Sequence, residues 1–161
     1  MLRLRPLVPE DAENLADWGM DPDFRVAADW AYRSRAQHLR FHQDLIEHCT
    51  DDPSRLAVTD DDQLVGYVDF TPDDTDGCEL GIVIGPSQRW GQHLGRRVIT
   101  LAAQHARRRY AASRVWARTH KTNARSRRML IGAGFVEVGP CGTDDYGGET
   151  VTVIEYEFPQ D

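Results

Sequence analysis

A chain of 161 residues, 40% hydrophobic and 28% charged, is long enough for one domain with a single core, which we expect over residues 1–161. No apolar run approaches the roughly 18 residues that a membrane helix needs, and Cys49, Cys78 and Cys141 lack metal-type or redox-type spacing. These features exclude a membrane-spanning protein and predict a reduced, cytoplasmic one without a bound metal. The net charge is −7, with nineteen acids and seven bases in residues 1–80 but seven acids and twelve bases afterwards.

The first half of the chain predicts a strand, two helices and three strands. The strand covers residues 2–5, and the helices cover 9–18 and 34–48. Ser34 and Gln37 form a capping box at the start of the second helix. Antiparallel strands follow over residues 55–59, 64–70 and 79–84.

The second half predicts a long helix over residues 92–110, with a buried stripe of Leu94, Val98, Leu101 and His105. A strand over 114–119, a helix over 124–131 and strands over 135–138 and 150–158 follow, the last two joined by a glycine-rich loop around residues 147–148. The element order is β-α-α-β-β-β-α-β-α-β-β. We expect an α+β fold with a mixed, mostly antiparallel sheet of about seven strands and helices on both faces.

A stretch without carboxylates marks the long helix and its surroundings. Between Glu79 and Glu137 there is no Asp or Glu, whereas twelve Arg or Lys occur from Arg89 to Arg128. At the start of the helix, residues 88–97 have the sequence QRWGQHLGRR. This segment predicts a phosphate site. The first turn of a helix has unpaired N–H groups, the glycines allow a ligand to come close, and cations are nearby. A glycine-containing helix start without a ligand is the alternative, because the segment matches neither a Walker loop nor G-x-G-x-x-G.

A second motif, Asn123-x-x-Ser126-x-Arg128, is followed by Gly134-Phe135, eleven residues after the Asn. This motif, its spacing from the glycine-containing loop and the element order resemble the GNAT superfamily of acyl-CoA-dependent N-acetyltransferases. The Trp-Gly pair at residues 90–91 and the Glu-x-Gly strand at 79–81 look most like the subgroup of ribosomal-protein N-terminal and spermidine acetyltransferases.

The resemblance implies acetyl-CoA as co-substrate, bound by three segments. Residues of the strand at 82–84 pair with the pantetheine amides, and the loop before the long helix binds the pyrophosphate. In the later helix, which begins at Asn123, the asparagine contacts the pantetheine arm and an arginine reaches the phosphates. The implied residues are Ile82, Val83, Ile84, Arg89, Trp90, Gly91, Gln92, His93, Leu94, Gly95, Arg96, Asn123, Ser126 and Arg128. Asn123 also caps its helix, and Arg125 or Arg127 is an alternative to Arg128.

Two positions depart from the family pattern. His93 stands where the family usually has the first glycine of the pyrophosphate loop. Leu130 stands where many relatives have a tyrosine. These departures favour the alternative function of a non-catalytic acyl-CoA-binding or sensing module.

The implied reaction is attack of a primary amine on the thioester, which needs a base because a free alkylamine has a pKa near 10.4. Glu79 is the first candidate, with a surface acid or substrate anchor as its other interpretation, and His120 is the second. Without the family tyrosine, Ser126 is the expected proton donor to the thiolate, unless its hydroxyl only satisfies helix backbone groups.

Acids and aromatic residues predict a cationic acceptor, by charge and cation–π attraction. They are Asp17, Asp21, Asp23, Asp29, Glu47, Asp144, Asp145 and Glu149, with Trp18, Phe24, Trp30 and Tyr32. A polyamine, an aminoglycoside-like compound or a protein N-terminus would fit. Core aromatics beneath a solvated acidic rim are the alternative. We expect no nucleic-acid partner, because the chain is acidic overall; a homodimer would suit the family, but the sequence shows no interface.

Overall fold

The computed structural model describes residues 1–49 and 54–160. These residues contain five α-helices: α1 (Asp11–Trp18), α2 (Pro22–Ala28), α3 (Arg35–Glu47), α4 (Leu94–Tyr110) and α5 (Ala124–Gly132). They also contain seven strands: β1 (Leu2–Pro6), β2 (Arg55–Asp60), β3 (Gln63–Pro72), β4 (Gly77–Ile84), β5 (Arg114–His120), β6 (Val136–Tyr146) and β7 (Glu149–Phe158). A 3₁₀ helix over Ser87–Arg89 lies between β4 and α4.

The strands of the described residues hydrogen-bond in the order β1-β2-β3-β4-β5-β7-β6. The β1–β2, β5–β7 and β6–β7 pairs are antiparallel, whereas β4 and β5 are parallel. The predicted fold class, a mixed and mostly antiparallel sheet of about seven strands, is confirmed. The match includes the predicted capping box, because Ser34 Oγ accepts from Gln37 N and Gln37 Oε1 accepts from Ser34 N.

Two elements differ from the prediction. Helix α2 was not predicted, although the sequence carries two signals for a helix start. Asp21 caps the helix by accepting a hydrogen bond from Asp23 N, and Pro22 is its first residue. Strand β6 reaches Tyr146, where a loop was expected after residue 138. Gly139, Pro140 and Gly142 suggest a loop, but they lie at two register irregularities of an edge strand, where breaker residues are tolerated.

The chain divides into two compact units. The first consists of Met1–Val68 with Val83–Leu94. Its core includes Leu15, Trp18, Phe24 and Tyr67. The buried side chains of α3 are His38, His42 and Ile46. The apolar pattern of this helix predicts burial of Leu39, of His42 or Leu45, and of Ile46; His42 and Ile46 are buried, whereas Leu39 and Leu45 are only partly buried.

The second unit consists of Asp69–Ile82 and the chain from Gly95 onward. Its buried helical residues are Val98, Ile99, Ala102, Ala103 and Ala106 of α4 and Leu130 of α5. The predicted stripe is therefore shifted: Val98 is buried, but Leu101 and His105 are half-buried. Alanine at the most buried positions lets a helix lie close to its neighbours.

Candidate active site

The loop before α4 belongs to the first unit, and its tryptophan packs against other residues of that unit. Trp90 Nε1 donates to Ile84 O at 2.8 Å, and the indole stacks on Phe24 with ring centroids 6.5 Å apart. Arg89 Nη2 donates to Gln63 Oε1 at 2.8 Å. The side chain of Trp90 is thus engaged in packing, and the backbone is what this residue offers to a ligand.

The backbone of this loop is left-handed at two residues, Gly91 with φ of 80° and His93 with φ of 58°. A Cβ at Gly91 would meet no described atom within 4 Å, so the backbone is open on that side. Helix α4 begins at Leu94 and has no acid in its first turn. A phosphate group would be compatible with this environment, because the peptide groups are exposed, they lie at a helix N-terminus and the first turn has no carboxylate.

Gly95 has a packing role that the sequence did not reveal. A Cβ at Gly95 would lie 2.7 Å from Met129 Sδ, so the missing side chain makes room for Met129 of α5. In the same unit, a Cβ at Gly132 would lie 3.1 Å from Arg96 Cδ and Nε. Helix packing therefore explains the glycine at position 95 without a ligand, and close approach of a phosphate stays a prediction.

In the second unit, the parallel register joins Gly77 to Arg114 and Glu79 to Trp116. Strand β4 continues beyond Glu79 to Ile84, and β5 continues to His120. Glu79 accepts two hydrogen bonds from Arg118, at 2.8 Å from Nε and 3.1 Å from Nη2. This bidentate contact raises the pKa of Arg118 above its ordinary value.

At the end of β5, His120 contacts two residues of β6. Its Nε2 is 2.9 Å from Asp144 Oδ2, and its ring lies 4.8 Å, centroid to centroid, from the ring of Tyr146. The hydrogen bond with His120 lowers the pKa of the Asp144 carboxyl. Among the described residues, Nδ1 of His120 has no hydrogen-bond partner.

Asn123 caps α5, as predicted, because its Oδ1 accepts from Ser126 N at 3.1 Å. The hydroxyl of Ser126 makes no hydrogen bond to any described residue and is therefore available to a ligand. Arg127 donates to Tyr156 Oη at 2.9 Å and to Glu137 at 3.3 Å, so its guanidinium is engaged in structure. Arg128 is exposed, and Leu130 is 2% exposed.

The aromatic residues expected at the acceptor site mostly belong to the core. Trp18 and Phe24 are buried, Trp30 Nε1 donates to Tyr67 Oη at 3.2 Å, and Tyr32 is 83% exposed. For Trp18 and Phe24, the interpretation as core aromatics is confirmed.

The first unit contains a cavity of about 710 Å³ beside α1. Its lining includes Asp17, Trp18 and Asp21, and also Arg5 and Arg89. Asp17 accepts from Arg35 Nε at 2.6 Å, and Asp21 accepts from the Ser87 hydroxyl. Part of the predicted acidic surface therefore lines a cavity of mixed charge.

The sequence analysis missed Arg118 and did not connect Asp144 with His120. Arg118 lies two residues from His120 on β5, where alternation predicts the same face of a strand. That alternation was a usable signal for Arg118. Asp144 had no such signal, because the predicted β6 ended at residue 138.

A family model described as the acetyltransferase (GNAT) domain matches residues 1–136. The chain belongs to this family. The match confirms the predicted superfamily and, at the level of the family, the expected acetyltransferase chemistry with acetyl-CoA as donor.

Relatives of known structure or sequence agree with this assignment. The chain is 28% identical over 97 residues to acetyltransferase PseH from Campylobacter jejuni. The aligned region covers 60% of this chain and 60% of PseH. In fold, it is similar to a spermidine N-acetyltransferase from Vibrio cholerae in complex with CoA and spermine. The TM-score is 0.78 at 18% identity, covering 98% of this chain and 94% of the other.

Another fold relative is the aminoglycoside acetyltransferase AAC(6')-Ib in complex with coenzyme A and kanamycin. Its TM-score is 0.72 at 13% identity, covering 96% of this chain and 94% of the other. At these identities the similarity supports the fold. Within the described residues, no helix is long and apolar enough to span a membrane.

Proposed function

We propose that this protein transfers the acetyl group of acetyl-CoA to a primary amine that carries positive charge. Family membership supports acetyl transfer. The observation that carries the proposal is the left-handed backbone at Gly91 and His93, directly before the N-terminus of α4. The first N–H groups of a helix have no partner within the helix, so a glycine-containing turn directly before the N-terminus of α4 supports the proposal that the pyrophosphate of the donor is bound there.

The donor would be held by the three predicted segments. Backbone groups of Ile82, Val83 and Ile84 would pair with amides of the pantetheine arm, as an added strand does. Peptide groups of residues 90–96 would bind phosphates, with charge from Arg96 and Arg128. The free hydroxyl of Ser126 supports its proposed role as proton donor to the leaving sulfur. When bound, acetyl-CoA supplies an activated thioester carbonyl.

The acceptor amine has to lose a proton before it can attack. An alkylamine with a pKa near 10.4 is held neutral at pH 7 at a cost of about 5 kcal/mol, so a positioned base is needed. Glu79 and His120 remain the two candidates. The other interpretation of Glu79, an acid at the surface, agrees with its partly exposed side chain and its ion pair with Arg118.

The acceptor class is proposed from charge. Among the described residues, five carboxylates and two arginines line the cavity of the first unit, and the exposed carboxylates include Glu10 and Asp62; this excess of negative charge favours a cationic ligand. The fold relatives with bound spermine and kanamycin support the same class. We propose a polyamine or an aminoglycoside-like compound first, and a protein N-terminus second.

Acetylation is tested by release of the CoA thiol in the presence of spermidine, spermine, kanamycin, amino acids and N-terminal peptides. Turnover with a polycationic amine would support the proposal. Acetyl-CoA binding without thiol release on any of these amines would favour the binding or sensing module instead. Leu130 is the observation behind that second candidate, because it is buried where many relatives place a tyrosine.

The loop assignment is tested separately by calorimetric binding of acetyl-CoA and of S-acetylpantetheine, which lacks the pyrophosphate. Gly91→Val forces a β-branched residue into a left-handed position and should weaken acetyl-CoA binding at least tenfold. S-acetylpantetheine binding should stay unchanged. Gly147→Val, at a left-handed glycine of the β6–β7 turn with φ of 60°, is the matched control. Equal effects of both variants would contradict the assignment.

We also propose a reducing compartment such as the cytoplasm. The three cysteines are free, and Cys78 is buried, which raises the pKa of its thiol to about 11. A thiol with such a pKa is almost entirely protonated at neutral pH and reacts slowly.

A further inference from the structure

His120 and Asp144 form a histidine–carboxylate pair near the ends of β5 and β6 in the second unit. The contact joins Nε2 to Oδ2 over 2.9 Å, across 24 positions of the sequence. The side chain of His120 is 21% exposed, whereas that of Asp144 is 55% exposed. The ring is therefore mostly enclosed but still reachable by solvent or by a small amine.

The carboxylate fixes which ring nitrogen is free. A carboxylate only accepts hydrogen bonds, so in the neutral ring Nε2 carries the hydrogen that is donated to Asp144. Nδ1 then has a lone pair, and it has no hydrogen-bond partner among the described residues. The ring of Tyr146 packs against the imidazole and restricts its rotation. An imidazole of defined tautomer and orientation is suited to accepting a proton.

Glu79 is less suited to the same task. Both of its carboxylate oxygens accept hydrogen bonds from Arg118, at 2.8 and 3.1 Å. Proton uptake by Glu79 would weaken a bidentate ion pair, whereas proton uptake at Nδ1 of His120 would strengthen the contact with Asp144.

We propose that Asp144 is a positioning residue that makes Nδ1 of His120 the proton acceptor for the substrate amine, an inference that rests on the proposed acetyl transfer. One N–H bond of the substrate ammonium breaks as the Nδ1–H bond forms. The freed lone pair forms the C–N bond while the C–S bond breaks; the Ser126 hydroxyl gives its proton to the sulfur and takes up the second amine proton. His120 returns its proton to water, and Asp144 stays ionised throughout.

The groups that face His120 agree with this role. From β6 they are Asp144 and Tyr146, and on β5 itself Arg118 is the next residue on the same face. From β7, Val153 is the register partner of His120, and Glu155 lies opposite Arg118. The carboxylate in hydrogen-bond contact with the ring is Asp144, so its removal should affect the tautomer and orientation of the ring most strongly.

The test compares Asp144→Asn, Asp144→Glu, His120→Gln and Glu79→Gln by kcat/KM against pH, with the best amine of the screen. Asp144→Asn should lower kcat/KM at pH 7 at least tenfold. It should also move the acidic limb of the profile, which is the fall of kcat/KM toward low pH, to lower pH. Asp144→Glu should restore part of the rate, and His120→Gln should abolish that limb. Glu79→Gln should retain it. Asp74→Asn, which removes an exposed carboxylate from the same unit, should match the unmodified enzyme.

A second readout does not depend on turnover. In protein with ¹⁵N-labelled histidine, the ring nitrogens of His120 should show one dominant tautomer, hydrogen on Nε2, which becomes mixed in Asp144→Asn. An unchanged acidic limb in both Asp144→Asn and His120→Gln would overturn the inference and leave acetyl transfer standing. A limb lost in Glu79→Gln alone would assign the base to Glu79. If no amine is acetylated, the proposed function fails and the inference fails with it.

Discussion

His93 is strained by its place in the loop. Its φ of 58° lies in the left-handed region, which costs a residue with a Cβ roughly 1–2 kcal/mol. The family usually has a glycine here, and the backbone of this chain retains the conformation that a glycine adopts freely. The histidine therefore changes the energy of the loop and not its backbone conformation.

We expect His93→Gly to raise the free energy of unfolding by about 1 kcal/mol, since the relieved strain exceeds the added entropy of the unfolded chain. Urea unfolding at pH 7 measures the change. Gln92→Gly is the control, because Gln92 is outside the left-handed region and a glycine there only adds flexibility. Equal stability changes in the two variants would show that His93 is not strained.

Substitutions of Ser126 and Asn123 should affect different quantities: the first should lower kcat and the second should lower stability. Ser126→Ala removes a hydroxyl with no partner among the described residues, so stability should change by less than about 0.5 kcal/mol while kcat falls tenfold or more. Asn123→Ala removes the cap of α5 and should cost about 1 kcal/mol of stability. Thermal unfolding and steady-state kinetics of both variants separate the two roles. A destabilised Ser126→Ala with normal kcat would make the serine structural.

At the scale of elements, β3 approaches the end of β4 closely at one glycine. A Cβ at Gly66 would lie 2.4 Å from Val83 O, a backbone atom that cannot move without displacing β4. Gly66→Ala should therefore cost about 2–3 kcal/mol and weaken acetyl-CoA binding through Val83 and Ile84.

The control for Gly66 is on the partner strand. A Cβ at Gly81 would meet Asp69 Cβ at 3.6 Å, an ordinary contact, so Gly81→Ala should be tolerated. Urea unfolding with acetyl-CoA calorimetry on both variants measures the difference. If Gly66→Ala is as stable as Gly81→Ala, the close approach of the two strands is not a constraint.

Local signals predicted most elements but not their full extent. The capping box of α3 and the Asn123 cap of α5 involve residues three positions apart, so the sequence alone displays them. Helix α2 has only seven residues, too few for a helical period to stand out. Strand β6 was truncated because Gly139 and Pro140 resemble loop residues unless the edge position of the strand is known.

The sequence predicts segments of the candidate site but not its paired side chains. The loop and the Asn123 motif are contiguous in sequence, so a single pattern shows each of them. The ion pair of Arg118 with Glu79 joins residues 39 positions apart, and the contact of His120 with Asp144 joins residues 24 apart. Such contacts depend on strand order and register, which hydrophobic patterns do not specify.

At the scale of the whole molecule, the first unit encloses two histidines that carry a pH dependence. His38 and His42 are at most 1% exposed, and none of their ring nitrogens has a hydrogen-bond partner in the part of the chain that the structure describes. Both contact the ring of Trp30, and a Cβ at Gly19 would lie 2.6 Å from the His38 ring. Burial lowers the pKa of both rings, that of His42 to about 4, and nearby Arg33 adds to the effect.

Because the pKa of His42 is lower in the folded chain than its ordinary value of about 6.5, acid favours unfolding. The stability contribution is complete above pH 6.5 and is lost as the pH falls toward about 4, where the folded chain also takes up the proton. By linkage, His42 alone should cost about 2 kcal/mol between pH 7 and pH 5. His38 acts in the same direction.

Urea unfolding at pH 7 and pH 5 tests this window. His42→Leu should lose much less stability between the two pH values than the unmodified chain, because no buried imidazole remains at that position to be protonated on unfolding. His48→Gln is the control, since His48 is an exposed histidine at the end of the same helix and should leave the pH dependence unchanged. A parallel loss of stability in all three proteins would assign the acid sensitivity to other groups of the molecule.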